Sequence, residues 1–305
     1  MKQHFVPRFL LKNFAGGNAD HLYVYDKLTG RVFSGAIGNI AAENGFYDFE
    51  ADGGRHSLEP ALGLLETRAS EAIRSLIGDE STGRIPPEGR QWLAVFAALQ
   101  FVRTRRRQNR SMDLIEALAG AVTSLGGDPA KTTLDGEPIN LGISTEENRV
   151  QCLQTLGSLT REYAAHFDNK AWVLHQASTE DPFLIGDSPI TLHNSLNQHT
   201  FQSTIGLGVP GIEINLPISN TLTLSFWCPT VEAFLRSTGL VSESYLLELE
   251  GKHPMPVTPE VTKHLNALQV AYAERFVYSN RKESFALVKE MITADSTFRA
   301  GLKDR

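Results

Sequence analysis

The chain opens on Gln3-His4-Phe5-Val6-Pro7-Arg8-Phe9-Leu10, and Asn13-Phe14 follow closely. This opening segment, residues 3–14, sets the polar side chains of Gln3, His4 and Arg8 among Phe, Val, Pro and Leu. A disordered terminus does not carry so much apolar surface, and a buried strand does not carry so much polarity. We therefore predict that the segment packs on the core and holds its polar side chains toward a site.

The bulk composition is that of a globular protein. The chain has 305 residues, of which 41% are hydrophobic and 21% charged, and its formal net charge is −6. This length is enough for one large core. Because a protein that binds nucleic acid over its whole surface is usually basic, any contact with a polyanion is expected to be local. Two cysteines, Cys152 and Cys228, are too few for a disulfide framework.

Targeting and cofactor motifs are missing from the sequence. Arg8 and Lys12 interrupt the first apolar run, so we expect no signal peptide. No apolar stretch approaches the length of a membrane span, and we expect a cytoplasmic protein without a membrane partner. We find no Walker A motif and no credible Gly-x-Gly-x-x-Gly after a strand, so no cofactor is expected.

The hydrophobic periodicity separates strand-like from helical segments. Strands are predicted at 21–26, 32–33, 44–49, 171–175, 183–186, 212–216, 222–227 and 276–279. Helices are predicted at 58–76, from 87 to about 121, and at 146–167, 230–249, 258–274 and 283–291. Helices and strands occur in separate blocks, which predicts an α+β fold with a helix-rich N-terminal half packed on a mixed or antiparallel sheet. We expect one domain over 1–305, with any division into lobes near 124–145.

The opening segment carries chemically useful groups. His4 can give or take a proton near neutral pH. The forked guanidinium of Arg8 suits phosphate or carboxylate, and Gln3 can hydrogen-bond the edge of a base. Alternatively, His4 and Arg8 only tie the N-terminus to the sheet, and the residues themselves leave both interpretations open.

Two carboxylates, Glu59 and Glu66, lie on one face of the first long predicted helix. Seven residues turn a helix by about 700°, about 20° short of two turns, and advance it by about 10 Å. Such a pair can contribute to a metal site, although the spacing is wide for one ion. In the other interpretation, Glu59 favours the helix N-terminus and Glu66 pairs with an arginine.

The next helix changes from apolar to Arg-rich at Gln100 and Arg103, which are neighbours on the helix surface. If both face inward, they are polar groups at a core margin, which indicates a site or a buried ion pair. The arginines of the patch 103–110 are candidates for phosphate contacts. The alternative is a solvated helix face paired with Asp113 and Glu116.

Asp187 follows the apolar strand 183–186, and Pro189 restricts Ser188 to extended conformations. A carboxylate at an open strand tip is well placed for catalysis, whereas the structural alternative is an Asx-turn. For an accessible Asp187, we expect Asp187→Asn to abolish function and to change stability by less than about 1 kcal/mol. Asn266, within an apolar helix, is a candidate buried polar anchor.

The motifs together resemble one family. Gln3-His4-x-x-Pro7-Arg8-x-x-Leu11-x-x-Phe14 is similar to the opening of the largely bacterial domain-of-unknown-function family 4238. The resemblance continues over nearly the whole chain, through Phe46-Tyr47, Glu59, Glu66, Gln100-x-x-Arg103 and Asp187-x-Pro189. Members more often have Asn where Ser188 stands. The resemblance implies a shared site assembled from these scattered residues, and it implies no particular reaction.

Our first hypothesis is a hydrolase acting on nucleic acid or a nucleotide, specifically a metal-independent glycosylase that excises DNA bases. Such an enzyme needs few carboxylates and a polar pocket for a flipped base. The catalytic candidates are Asp187, His4 and Glu66. The substrate-binding candidates are polar side chains suited to bases and phosphates, namely Gln3, Arg8, Gln100, Arg103 and Ser188.

Two alternatives belong to other classes. A metal-dependent nuclease would use Glu59, Glu66 and Asp187 as ligands, provided that they converge within a few ångströms. A non-enzymatic module of a bacterial defence or toxin system would recognise a ligand with the same polar groups and leave it unchanged. The sequence leaves the oligomeric state open.

Overall fold

The computed structural model describes residues 2–15, 20–196, 205–239, 241–242, 245, 249 and 253–300. Its strands are β1 Lys2–His4, β2 His21–Asp26, β3 Val32–Ala36, β4 Ala42–Asn44, β5 Asp48–Ala51, β6 Gly54–Ser57, β7 Thr132–Leu134, β8 Glu137–Ile139, β9 Ala171–Gln176, β10 Ile185–Gly186, β11 Thr191–Asn194, β12 Ile212–Pro217, β13 Leu222–Trp227, β14 Met255–Pro256 and β15 Phe276–Ser279. Its helices are α1 Arg8–Lys12, α2 Glu59–Asp79, α3 Pro87–Val102, α4 Arg105–Ser124, α5 Thr145–Gln154, α6 Leu156–Asp168, α7 Pro229–Thr238, α8 Pro259–Tyr272 and α9 Ala286–Ala294.

Two larger sheets form the β part of the molecule. One is antiparallel, with the strand order β10-β15-β2-β3. The other has the order β11-β12-β13-β9-β14 and is antiparallel except for the parallel pair of β14 with β9. With the helices of the N-terminal half beside them, these sheets confirm the predicted α+β class.

The helical layer is organised around α3, which packs between α2 and α6. Most of α3 is apolar and buried, including Leu93, Phe96 and Leu99. It begins at Pro87, whose fixed φ and missing N–H are tolerated in the first turn of a helix. Residues of both halves, from Phe5 to Tyr278, belong to one continuous apolar cluster, which therefore joins the helices to the sheets.

The opening segment packs on the core, as its apolar content predicts. Strand β1 pairs with β4, so that Gln3 lies opposite Glu43 and His4 opposite Ala42. Pro7 is extended and precedes α1, and both leucines of α1, Leu10 and Leu11, are fully buried. The segment therefore contributes both a strand and a helix to the interior.

Three predicted elements are each divided in the structure. The strand expected at 44–49 is interrupted at Gly45, whose φ of +65° turns the chain between β4 and β5. The helix expected from 87 to about 121 ends at Val102, because Thr104 is extended with ψ 159° before α4 begins. The helix expected at 146–167 bends at Thr155, whose hydroxyl donates to the Gln151 carbonyl oxygen at 2.9 Å.

The remaining elements show smaller differences. The stretch near 124–145 contains the hairpin β7–β8. The helix expected at 230–249 is shorter in the structure, because α7 ends at Thr238 and Gly239 follows with a φ of +62°. Residues 240, 243–244 and 246–248 of the expected helix lie outside the described residues. Over the described part of the chain, no helix combines the length and the apolar character needed to cross a membrane.

Candidate functional site

Gln3 is buried and its amide group is fully used inside the protein. Its Oε1 accepts a hydrogen bond from the backbone N–H of Tyr47 at 2.6 Å. Its Nε2 donates to Asp48 Oδ1 at 2.6 Å and to Ser57 Oγ at 3.3 Å. Gln3 therefore holds the chain on either side of β5, and the structure does not place it where it would read a base.

Arg103 is the centre of a second buried network, and its side chain has no exposed surface. Its Nε and Nη2 donate to Gln100 Oε1 at 2.9 and 2.6 Å, and its Nη1 donates to Glu66 Oε1 at 2.6 Å. Gln100 Nε2 in turn donates to the Phe5 carbonyl oxygen at 2.8 Å. One guanidinium thus connects α2, the end of α3 and the opening segment.

Glu59 and Glu66 interact with each other through space. Burial raises the pKa of Glu59 above its usual value, and the charge of Glu66 raises it further, whereas Arg103 lowers it. Glu66 keeps about a quarter of its side chain exposed (25%) while it pairs with Arg103. The helix therefore presents one carboxylate paired with Arg103 and a second carboxyl group whose pKa is raised.

His4 lies next to this pair. Its Nε2 is 3.2 Å from the Ile37 carbonyl oxygen, which assigns the proton to Nε2 and leaves Nδ1 as an acceptor. Burial lowers the pKa of His4, as do Arg8 and Arg103, against opposing effects of the Ile37 carbonyl and Glu66. The imidazole is therefore neutral at pH 7.

His4, Arg8, Glu59, Glu66, Gln100 and Arg103 thus form one group, which we call the Arg103 cluster. Within it, Gln100 and Arg103 are buried, Arg8 is exposed, and His4, Glu59 and Glu66 are partly exposed. The buried members position the others, and the partly exposed carboxyl groups and imidazole are accessible to a ligand.

Asp187 lies elsewhere and is buried. Its two carboxylate oxygens accept hydrogen bonds from the backbone N–H groups of Glu274, Arg275 and Phe276 at 2.7–2.8 Å. Burial raises the pKa of Asp187 to about 6 against these donors and the charge of Lys27. None of its partners in the described structure belongs to the Arg103 cluster.

The surroundings of Asp187 match neither of the two arrangements expected from the sequence, the open strand tip and the Asx-turn. The carboxylate is not at an open strand tip, because Asp187 is only 6% exposed, and its bonds run to residues that follow α8 rather than to its own turn. Ser188 is also buried, and its Oγ has no hydrogen-bond partner among the described residues. The expectation that Asp187→Asn changes stability by less than about 1 kcal/mol presumed an accessible carboxylate, whereas Asp187 is buried.

The Arg-rich patch 103–110 is largely occupied by internal ion pairs. Arg105 pairs with Glu43. Arg106 lies 3.7 Å from Glu274 and 4.5 Å from the centre of the Tyr272 ring. Arg105 and Arg106 thus have partners that are distant in sequence, and phosphate contacts from this patch stay a prediction.

The nuclease ligand set is not assembled. The charge of Glu66 acts on Glu59, whereas the Asp187 carboxylate accepts hydrogen bonds from the backbone N–H groups of residues 274–276. Among the described residues, no group of three or more His, Cys, Asp or Glu side chains has the arrangement of a metal site.

Comparison with known proteins agrees with the motifs. The model of the family described as protein of unknown function (DUF4238) matches residues 2–283. The chain belongs to the DUF4238 family. Comparisons with curated proteins and with solved structures find no significant match.

Some supporting residues of this DUF4238 protein were not expected to take part in the site. Tyr47 is fully buried and donates its hydroxyl to the His4 carbonyl oxygen at 3.2 Å, and burial raises its pKa strongly. Asp48 and the Ile37 carbonyl bind Gln3 and His4. The one sequence signal for Tyr47 was its place in the Phe46-Tyr47 motif, and no local pattern indicates which carbonyl faces His4.

We predict that Arg103→Met destabilises the protein by about 1–3 kcal/mol, because it leaves the buried Gln100 Oε1 without its donor and the partly exposed Glu66 without its ion-pair partner. Arg74→Met is the matched control, since Arg74 is an exposed residue of α2, and we expect a change within about 0.5 kcal/mol. Urea unfolding followed by circular dichroism measures both. A loss below about 1 kcal/mol for Arg103→Met would show that the network contributes little.

We predict that Asp187→Asn lowers the free energy of unfolding by about 2 kcal/mol or more, because an amide cannot accept all three N–H bonds and turns an NH2 group toward them. Asp181→Asn, at an exposed position, is the control. Urea unfolding followed by circular dichroism measures the stability of both variants. Equal stability of the two variants would contradict the structural role of the Asp187 carboxylate.

Proposed function

We propose that this DUF4238 protein is a hydrolase that cleaves the N-glycosidic bond of a nucleic acid or nucleotide without a metal, and that its catalytic residues are Glu59, Glu66 and His4. The observation that carries the proposal is the arrangement of these three groups around buried Arg103. Two carboxyl groups with unlike environments and one neutral imidazole match the requirements of acid–base glycoside hydrolysis.

Each group has a distinct role. Glu59, with its raised pKa, donates a proton to the departing base as the bond between C1′ and nitrogen breaks. The Glu66 carboxylate, held by Arg103, stabilises the positive charge that develops on the sugar. His4 Nδ1 accepts the proton of the water molecule whose oxygen forms the new bond to C1′.

Because His4 takes the role of the base that activates water and Glu66 forms no covalent bond, we propose a single displacement by water with inversion at C1′.

Phosphate recognition is assigned to the accessible arginines. Arg8 is exposed beside His4, and Arg107 and Arg110 are partly exposed on α4. A few local cations agree with a chain whose net charge is −6. Since the amides of Gln3 and Gln100 are used internally, we no longer assign base recognition to them.

The expected activity is the release of bases from DNA. Incubation of the protein with modified and unmodified single- and double-stranded DNA, followed by quantification of abasic sites, measures this release.

We expect Glu66→Gln to lower the rate of base release at least a hundredfold, whereas the control Glu71→Gln, at an exposed position of the same helix, retains the wild-type rate. Activity in EDTA is expected to equal that in buffer.

Other results would favour the alternatives. Backbone cleavage that requires a divalent cation would support the nuclease. Saturable binding of DNA or nucleotides without any product would support the recognition module. Absence of abasic sites and of free base with every substrate would overturn the glycosylase.

The pH dependence of this activity follows from two pKa shifts of opposite sign. Activity requires protonated Glu59, whose pKa is raised from 4.5, and neutral His4, whose pKa is lowered from 6.5. The rate therefore falls as pH rises above the pKa of Glu59 and as pH falls below that of His4. We predict a bell-shaped profile whose maximum lies midway between the pKa of His4 and the pKa of Glu59. A rate that still rises above pH 7 would contradict these roles.

A further inference from the structure

An open groove runs between α2, α3 and α6, with a volume of about 380 Å³. Its walls are mainly aliphatic, with Leu58 directly before α2, Leu65 from α2, Leu99 from α3 and Leu156 from α6. Sites for small molecules are typically about 300–1,000 Å³ and mostly apolar, with a few polar groups that orient the ligand. The groove has these properties and is not used by the reaction proposed above.

The groove is separate from the Arg103 cluster. On a helix with about 100° per residue, Leu58 and Leu65 lie about 100° around α2 from the line of Glu59 and Glu66. Leu62 lies between the two faces and contributes to the groove. A ligand in the groove therefore contacts α2 without contacting the carboxylates.

Gly157, in the first turn of α6, keeps part of the groove open. A Cβ built at this position meets no atom within 4 Å. Glycine is less favourable than alanine in a helix by about 1 kcal/mol. The space beside Gly157 is therefore open, and the groove has room for a larger side chain at this position without movement of neighbouring atoms.

The polar groups of the groove define the ligand's charge. The Thr160 hydroxyl donates to the Leu156 carbonyl oxygen at 2.7 Å, so it is used by its own helix. Arg161 is the only charged side chain among the described residues that line the groove, and it is exposed. An apolar channel with one cation at its margin is complementary to a flexible apolar chain with one negative charge.

We propose that this groove binds a single-chain carboxylate of the fatty-acid type, with its chain between α2, α3 and α6 and its carboxylate paired with Arg161. Burial of the chain supplies most of the affinity, at about 0.8 kcal/mol per methylene. The exposed ion pair adds a small preference for the carboxylate over a neutral head group.

Titration calorimetry with dodecanoate below its micellar concentration tests the proposal. Wild-type protein is expected to bind one dodecanoate saturably. Gly157→Phe is expected to weaken binding at least tenfold, whereas Gly157→Ala changes it by less than twofold. Circular dichroism melting of both variants verifies that they are folded, and equal binding by wild type and folded Gly157→Phe would overturn the site.

The head-group preference is tested with Arg161→Gln and with dodecanol. We expect Arg161→Gln to weaken dodecanoate binding by about two- to fivefold and to leave dodecanol binding unchanged. Wild-type protein that binds dodecanol as tightly as dodecanoate would overturn the carboxylate assignment. Binding to vesicles of anionic lipid without binding of monomeric dodecanoate would overturn it in favour of a membrane surface. No substrate of the hydrolase is involved, so these results are independent of the glycosylase assay.

Discussion

The burial of the Arg103 guanidinium is the constraint on which the N-terminal half of the fold depends. A charge without solvent contact requires a partner charge and hydrogen-bond acceptors, or it costs several kcal/mol. Glu66 supplies the charge and Gln100 supplies a shared acceptor. Since the Gln100 Oε1 already accepts hydrogen bonds from Arg103, the donor side of the amide is directed elsewhere, and its Nε2 donates to the Phe5 carbonyl oxygen. Helix α2, helix α3 and the opening segment are therefore held in one mutual arrangement.

The same interaction explains why the chemistry at this site is divided between buried and exposed groups. The amides of Gln3 and Gln100 and the Arg103 guanidinium are buried away from a substrate, so they act by fixing the positions of their neighbours. The partly exposed groups are His4, Glu59 and Glu66, and burial and Arg103 lower the pKa of His4, whereas burial raises the pKa of Glu59 against the effect of Arg103. The proposed acid, base and charge-stabilising roles follow from these environments rather than from residue type.

Asp187 shows that a sequence pattern typical of a catalytic carboxylate can also arise from a structural role. A buried strand followed by Gly-Asp-Ser-Pro is typical of a catalytic tip, yet the carboxylate binds the backbone N–H groups that follow α8. Asn266 on the same helix binds both Leu184 N–H and the Pro182 carbonyl oxygen, as its position in an apolar helix indicated. Together these polar side chains fasten strand β10 to α8, so their role is to join elements far apart in sequence.

Local periodicity and composition by themselves determined much of this protein: the α+β class, the hairpin β2–β3, the cores of α2 and α3, the central strands and the family. These features depend on neighbours within a few residues, which the sequence records directly. The breaks at Gly45 and Thr104, the carbonyl that faces His4 and the separation of Asp187 from the Arg103 cluster were decided by tertiary structure alone. Buried polar groups find partners tens to hundreds of residues away, and which partner each one meets depends on how the whole chain packs.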